Sequence, residues 1–429
     1  MRRLILLCGL LLAGCDGASA PTTVNKEVTV NPLSEIKTRL AFTCKYETLP
    51  ELTADPDRLF KYARWLQVNN QLKRDKAVDA ESARLYRIAA ENGHVKAAIN
   101  LQNGALRGQY HLSSAERLRL SERLIDEGVA TGYYFIALYL QHGGAGLKQD
   151  PEMALRYFRK AADEGNAQAQ AYVGDKLAPG NMAPEVARQM RRCAAEQGEG
   201  DAASKLGVNL AGHERYQEAM EAFQLGVAAG DSSSASFLEH GFDGPEPDNQ
   251  LYYLGQQKDP ERARRYEQIG DVLGNYSYAH PTVPEINEIV PLPPAELPEW
   301  DGKLKWLEAR EANIAPPEPD AALIAQLARE KKLNPATGRP LPESPWFEKD
   351  TVAQLRCHSG EPCPKGGYWQ LRYLPYRGTG SYGQTVHFFR EGDIMPTDTV
   401  THYRHRPWPL DVKIITEEQR VEWRFVGEA

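Results

Sequence analysis

The chain has 429 residues, 41% of them hydrophobic, and a formal net charge of -7 at neutral pH. That length points to more than one domain. The acidic balance argues against a nucleic-acid or anionic-membrane footprint, and it is uneven: residues 15–350 carry 39 Lys+Arg against 49 Asp+Glu, residues 351–429 carry 10 against 9. At the N-terminus Arg2 and Arg3 precede an apolar run over 4–12, too short to span a bilayer and shaped like a secretory signal.

That run ends in Leu12-Ala13-Gly14-Cys15, which resembles the lipobox of bacterial lipoproteins. The resemblance implies a signal peptide over 1–14, diacylglycerol on the Cys15 thiol, and a membrane anchor without any spanning helix. Asp16 resembles an inner-membrane retention signal of enteric bacteria, so the inner membrane is the expected face and the outer membrane the alternative. Residues 15–34 are polar, lack periodicity and read as a tether. The body is then expected in the periplasm, an oxidising compartment, where Cys44, Cys193, Cys357 and Cys363 become disulfide candidates. Proximity in sequence pairs Cys357 with Cys363, which leaves Cys44 for Cys193. A metal site built from Cys357, His358 and Cys363 with His402 or His405 is the alternative, and its spacing matches no common zinc pattern. Neither a metal nor a cofactor is expected.

Residues 35–80 contain an amphipathic stretch over 57–72, with Leu59, Phe60, Ala63, Leu66 and Val68 among polar residues, suited to an N-terminal helical cap. A repeat then runs over 81–278. Gly93, Gly128, Gly165, Gly198 and Gly230 fall 35, 37, 33 and 32 residues apart. Three are preceded by an alanine pair, Ala89-Ala90, Ala161-Ala162 and Ala194-Ala195, and each is followed four residues on by Ala97, Gly132, Ala169, Ala202 or Ser234. A period of this length predicts stacked helix-turn-helix units, an α-solenoid that presents a surface. In the best copy, Pro151 starts a helix, and Ala154, Leu155, Phe158, Ala161 and Ala162 form its apolar stripe. Gly165 closes that helix in a left-handed turn, and Asn166 caps the next one.

The register of Tyr157-Phe158, Ala161-Ala162, Gly165, Ala169 and Val173-Gly174 resembles the Sel-one-like repeat (SLR), a relative of the tetratricopeptide repeat. Proteins of that family are mostly adaptors. The second and fifth copies depart from the pattern at the alanine pair, with Leu124-Ile125 and Gly226-Val227.

After a Gly/Pro/Asp-rich break at 241–248 and a further helical stretch at 259–274, composition shifts. Pro281, Pro284, Pro291, Pro293, Pro294 and Pro298 forbid a regular helix, while Ile286, Ile289, Val290, Leu292 and Leu297 predict packing along the solenoid. The segment 279–345 includes one short helix at 320–332. From 346 to 429 a period of two predicts a small β-rich module, with strands at 368–374, 384–389, 412–416 and 421–426. Its phrases Cys363-Pro364-Lys365-Gly366-Gly367-Tyr368-Trp369 and Gly392-Asp393-Ile394-Met395-Pro396 resemble a pairing found in domains attached to bacterial immunity proteins. The fold class is therefore mainly α, a solenoid with a small β-rich C-terminal module.

The whole arrangement is similar to SLR lipoproteins that accompany phospholipase D-type effectors of type VI secretion systems. The phrases Phe42-Thr43-Cys44, Arg192-Cys193-Ala194-Ala195-Glu196-Gln197-Gly198 and Glu288-Ile289-Val290-Pro291-Leu292-Pro293-Pro294 carry that likeness. It implies an immunity protein whose partner is a secreted phospholipase D-like effector. A membrane-anchored scaffold for an envelope complex, or a cell-wall-remodelling accessory, is the alternative. His94-Val95-Lys96 is a lone His-x-Lys and reads as part of a helix-to-helix turn, and no Gly-x-Ser-x-Gly or His-Glu-x-x-His motif occurs. The expected role is therefore binding, not catalysis. His402-Tyr403-Arg404-His405-Arg406 with Trp408 reads as an exposed loop, and Arg404, Arg406 and Trp408 are its candidate partner contacts.

Overall fold

The computed structural model describes residues 41–179, 182–347, 356–372, 382–404 and 413–427. An extended stretch at 41–53 leads into α1 (Ala54–Asn70), and five helix pairs follow. They are α2 (Lys76–Glu91) with α3 (Val95–Leu106), α4 (Ser114–Asp126) with α5 (Thr131–His142), and α6 (Pro151–Asp163) with α7 (Ala167–Leu177). Next come α8 (Pro184–Glu196) with α9 (Gly200–Ala211), α10 (Tyr216–Ala228) with α11 (Ser232–Phe242), and a last helix α12 (Pro260–Asn275).

Each pair closes at a glycine. Gly93, Gly128, Gly165, Gly198 and Gly230 have φ of 86°, 74°, 107°, 94° and 93°, the left-handed region that a side chain resists. Pro151 occupies the first turn of α6, and the Asn166 side-chain Oδ1 accepts from the Ala169 amide at 2.8 Å. His94 and Asp231 cap α3 and α11 in the same way. Alanines at Ala89, Ala90, Ala161, Ala162, Ala194 and Ala195 are buried, which lets neighbouring helices approach closely. Phe158 stacks on Tyr172 with centroids 4.0 Å apart, joining the two helices of one repeat.

The core comes in two blocks. One runs from Leu59 on α1 to Met190 on α8. The other runs from Leu206 on α9 through Tyr266 on α12 to Val283, Ile286 and Val290 beyond it. The proline-rich stretch holds α13 (Ile286–Ile289) and α14 (Lys305–Ala312), followed by α15 (Ala321–Glu330). Its first part lies against α10 and α12. Arg265 donates to the Ile289 and Pro298 carbonyls, both at 2.8 Å, and Gln224 donates to the Val290 carbonyl at 2.7 Å. Its second part returns to the other end of the solenoid. Trp65 on α1 donates to Asn313 at 3.0 Å, and Leu323, Ile324, Leu327 and Ala328 of α15 join the first core block. The segment therefore links the two ends of the repeat array.

The C-terminal module contains β1 (Arg356–His358), β2 (Gly367–Arg372), β3 (Tyr382–Phe389), β4 (Asp398–Arg404), β5 (Lys413–Gln419) and β6 (Glu422–Gly427). Four strands form an antiparallel sheet ordered β1-β6-β2-β3, and β4 pairs with β5 alone. Two expectations need correction. Residues 402–404 belong to strand β4, in register with 413–415, and not to a loop; polar and charged residues disguised a run that a partner strand stabilises. Cys357 and Cys363 are separate buried thiols, not a bridge. Each sulfur faces its own acceptor in the tight turn: Cys357 the Pro362 carbonyl at 3.5 Å, Cys363 the Lys365 carbonyl at 3.1 Å. Burial pushes the Cys357 thiol up to about 11, with Glu361 beside it adding to the rise.

Candidate interaction surface

A helix-turn-helix solenoid has two long edges. One carries the turns within each pair; the other carries the junctions between pairs.

The turn edge is held by other parts of the chain, although Gly93, Gly128 and Gly198 stay exposed on it. The extended 41–53 segment lies across the three middle turns as a strap. Cys44 and Cys193 are joined by a disulfide, with Cα atoms 5.6 Å apart. Lys45 pairs with Glu164 at 2.5 Å, the Tyr46 hydroxyl donates to Glu196, and the Glu47 amide donates to Gln197 at 3.1 Å. Gln170 donates to the Lys45 carbonyl at 2.8 Å. Ala130, at the start of α5, has no capping side chain. Glu47 supplies one from the strap: the Thr131 amide donates to its carboxylate at 2.5 Å and the Thr131 hydroxyl at 2.9 Å. Burial pushes the Glu47 carboxyl above its usual value, while the two Thr131 hydrogen bonds pull it back. Glu164 moves the other way, to about 2, because Lys160 and Lys45 both hydrogen-bond its carboxylate.

The two outer turns are contacted by the returning segment. At the fifth, Val283 donates to the Ala228 carbonyl at 3.0 Å, and a Cβ on Gly230 would lie 1.9 Å from the Pro281 oxygen. At the first, Asn92 donates to the Leu327 carbonyl at 3.2 Å.

The junction edge carries the groove. Between α7, α8 and α9 lies an open depression of about 500 Å³, lined by Asp175, Pro179, Arg191, Lys205 and Val208. Asp175 accepts from Arg191 at 2.7 Å and Lys205 at 2.6 Å, and Lys205 also reaches Asp201 at 2.7 Å. Val208 stays exposed in this charged frame. The arrangement suits contact with a polypeptide surface, apolar at its centre and charged around it.

His94 is buried and structural. Its Nδ1 accepts from the Ala97 amide at 3.1 Å, its ring stacks on Phe60 with centroids 4.4 Å apart, and Nε2 sits 3.4 Å from Asp57. Burial lowers its pKa, which favours the neutral, capping imidazole. The two sequence phrases of the C-terminal module meet: Cys363 donates to the Asp393 carbonyl at 2.7 Å, and Gly392 donates back to the Cys363 carbonyl at 2.8 Å. Buried Trp369 and Met395 pack beside them, so these phrases build the module's core. Of the three expected partner contacts, Arg404 ends β4 opposite Lys413, while Arg406 and Trp408 lie outside the described residues, as do Cys15 and His405. Among the described residues no His/Cys/Asp/Glu group is placed to hold a metal ion, and no helix is long and apolar enough to cross a membrane.

The expected pairing of Cys44 with Cys193 holds and ties the N-terminal segment to α8, but the strap's other contacts and the groove were not foreseen. Lys45, Tyr46 and Glu47 lie in a short polar stretch with no periodicity, and their partners are 84 to 150 residues away.

Comparison with known proteins supplies two families. Residues 72–94 and 130–166 match the Sel1 repeat, and residues 234–341 match a domain of unknown function, DUF6396. Curated proteins give no match. Among solved structures, immunity protein Pa5087 from Pseudomonas aeruginosa is 25% identical over 59% of this chain and 95% of its own, with a TM-score of 0.46. Immunity protein PA5088 from the same organism is also 25% identical, over 59% of this chain and 94% of its own, with a TM-score of 0.47. A Sel1 repeat protein from Oxalobacter formigenes is 20% identical over 51% of this chain and 97% of its own, with a TM-score of 0.34. The chain is thus an α-solenoid carrying Sel1 repeats, and it resembles these immunity proteins.

Proposed function

We propose that the chain is a periplasmic lipoprotein that binds a secreted phospholipase D-like effector and blocks it, acting as an immunity protein. The observation that carries the binding role is the Sel1-repeat solenoid with one edge strapped by its own chain and a groove on the other. The phospholipase partner is supported by the sequence likeness to SLR immunity lipoproteins. Phrases that carry this likeness fall where the accessory segments are fixed. Cys44 of the first is bonded to Cys193 of the second, and Ile289 and Val290 of the third accept from Arg265 and Gln224. A disulfide in the chain suits an oxidising compartment, in keeping with export and with lipid attachment at Cys15.

A blocking protein needs no chemistry of its own: it occupies the effector's lipid entrance or locks its conformation. The test is lipolysis of phosphatidylethanolamine and phosphatidylglycerol vesicles by any phospholipase D-like effector encoded next to the chain's gene, with rising amounts of the purified protein. Inhibition that saturates at a fixed molar ratio supports the reading. Undiminished lipolysis, with no protection of sensitive cells, would reject it in favour of an envelope scaffold.

A further inference from the structure

Between α1 and α12 the exposed large apolar side chains are Leu72, Leu106, Met153, Val208 and Leu251. All five stand on the junction edge. Leu72 follows α1, Leu106 ends α3, Met153 is in the first turn of α6, Val208 is in the last turn of α9, and Leu251 lies between α11 and α12. Five of the six junctions thus carry one such residue, and the sixth, between α7 and α8, opens into the groove that Val208 lines. Exposure ranges from 38% for Met153 to 68% for Leu72. Scattered exposed leucines need no explanation, but one per junction along a single edge is an ordered row.

The row is also polarised. At its N-terminal end Lys73 and Arg74 are exposed beside Asp75, and exposed Lys76 pairs with Asp79 at 3.4 Å, three cations against two carboxylates. At its C-terminal end Asp243, Glu246 and Asp248 are exposed, with Lys258 beside Gly244. One end is net basic and the other net acidic, although the chain as a whole is acidic.

We infer that the junction edge is the effector-docking surface, and that it receives a segment of the effector with spaced apolar side chains. Charge complementarity fixes the direction of that segment: acidic residues meet the Lys73-Arg74-Lys76 end, and basic residues meet the Asp243-Glu246-Asp248 end. The turn edge takes no part, because the strap and the returning segment already contact each of its turns. This inference rests on the effector-blocking reading above.

The experiment uses the full chain and the phospholipase D-like effector identified by inhibition in the vesicle lipolysis assay above. Two variants probe the edge: Leu106→Ser with Val208→Ser, and Lys73→Glu with Arg74→Glu and Lys76→Glu. Lys96→Glu, an exposed position at the start of α3 on the turn edge, is the control. Each edge variant should raise the concentration for half-inhibition by about tenfold or more, while Lys96→Glu leaves it unchanged. Unaltered thermal midpoints show that the substituted surfaces are folded. Wild-type inhibition that survives both edge variants would overturn the docking edge and leave the immunity reading standing. Failure of the wild-type chain itself to inhibit removes that reading and this inference with it.

Discussion

Along one edge of the solenoid, each of the five turns is contacted by another stretch of chain: the strap at the middle three, Pro281 to Val283 at the last, and α15 at the first, with Gly165 and Gly230 closely packed and Gly93, Gly128 and Gly198 left exposed. Along the other edge, five of six junctions end in an exposed apolar side chain. The same repeat builds both. What separates them is chain outside the repeats, which turns a symmetric array into a body with one side strapped by its own chain and one side bare. The proteins most in need of a single docking face gain from this, since a solenoid otherwise offers two.

The largest effects should come from the turns, where strain and crowding coincide. Gly230→Val meets both a left-handed φ and the Pro281 carbonyl, and Gly165→Val meets the strap backbone at 2.7 Å. A loss of about 3 kcal/mol is expected for each, measured by denaturant unfolding. Gly198→Val has the same φ class with open space around it, and should lose about 1–2 kcal/mol. Equal losses at all three sites would mean that the covering segments do not press on the turns.

Next is the disulfide. Cys44→Ser with Cys193→Ser releases a crosslink with a sequence separation of 149 and should cost roughly 2–4 kcal/mol. Amide exchange should quicken at 41–47 and stay slow at 281–291, where different contacts hold the chain. A uniform change across both segments would erase the distinction between strap and returning segment.

Smaller still is the trans cap. Glu47→Ala leaves the Thr131 amide without its acceptor and should cost about 1 kcal/mol, with the faster exchange confined to the start of α5.

The smallest effect is acid-dependent. The carboxyl of Glu164 is held at about 2 against an ordinary 4.5, so its contribution is complete above pH 4.5 and is lost as pH falls toward 2. Both partners are largely solvated, which keeps the effect small. Lys45→Ala should narrow that acid-dependent difference, and its stability curve should merge with the wild-type curve near pH 2. Curves that stay parallel down to pH 2 would show that Lys45 acts through packing instead of charge.

The repeat was legible because its constraint is local. A helix that must end in a left-handed residue calls for glycine, and five such residues at a near-constant spacing announce the array. The helix at 320–332 was legible from its own periodicity, as α15. Its docking on α1 and α2 was not, because those partners lie more than two hundred residues earlier. The strap's anchor was legible in the pairing of Cys44 with Cys193, but the rest of it is a polar, extended stretch whose contacts with the turns leave no pattern in the sequence. The exposed row was hidden for a related reason: Leu72, Leu106, Met153, Val208 and Leu251 have irregular spacing in sequence, and only stacking aligns them. Strand β4 escaped because Thr399, Thr401, His402 and Arg404 masked its pattern until β5 was placed beside it.

The most direct test of the two-edge arrangement is amide hydrogen exchange on the chain alone and saturated with the proposed phospholipase effector. This arrangement predicts slowed exchange on binding at the junctions around Leu72, Leu106, Val208 and Leu251, with no change at 44–47 or at 281–283. Protection confined to the strap and the turns beneath it, with the junctions unchanged, would contradict it.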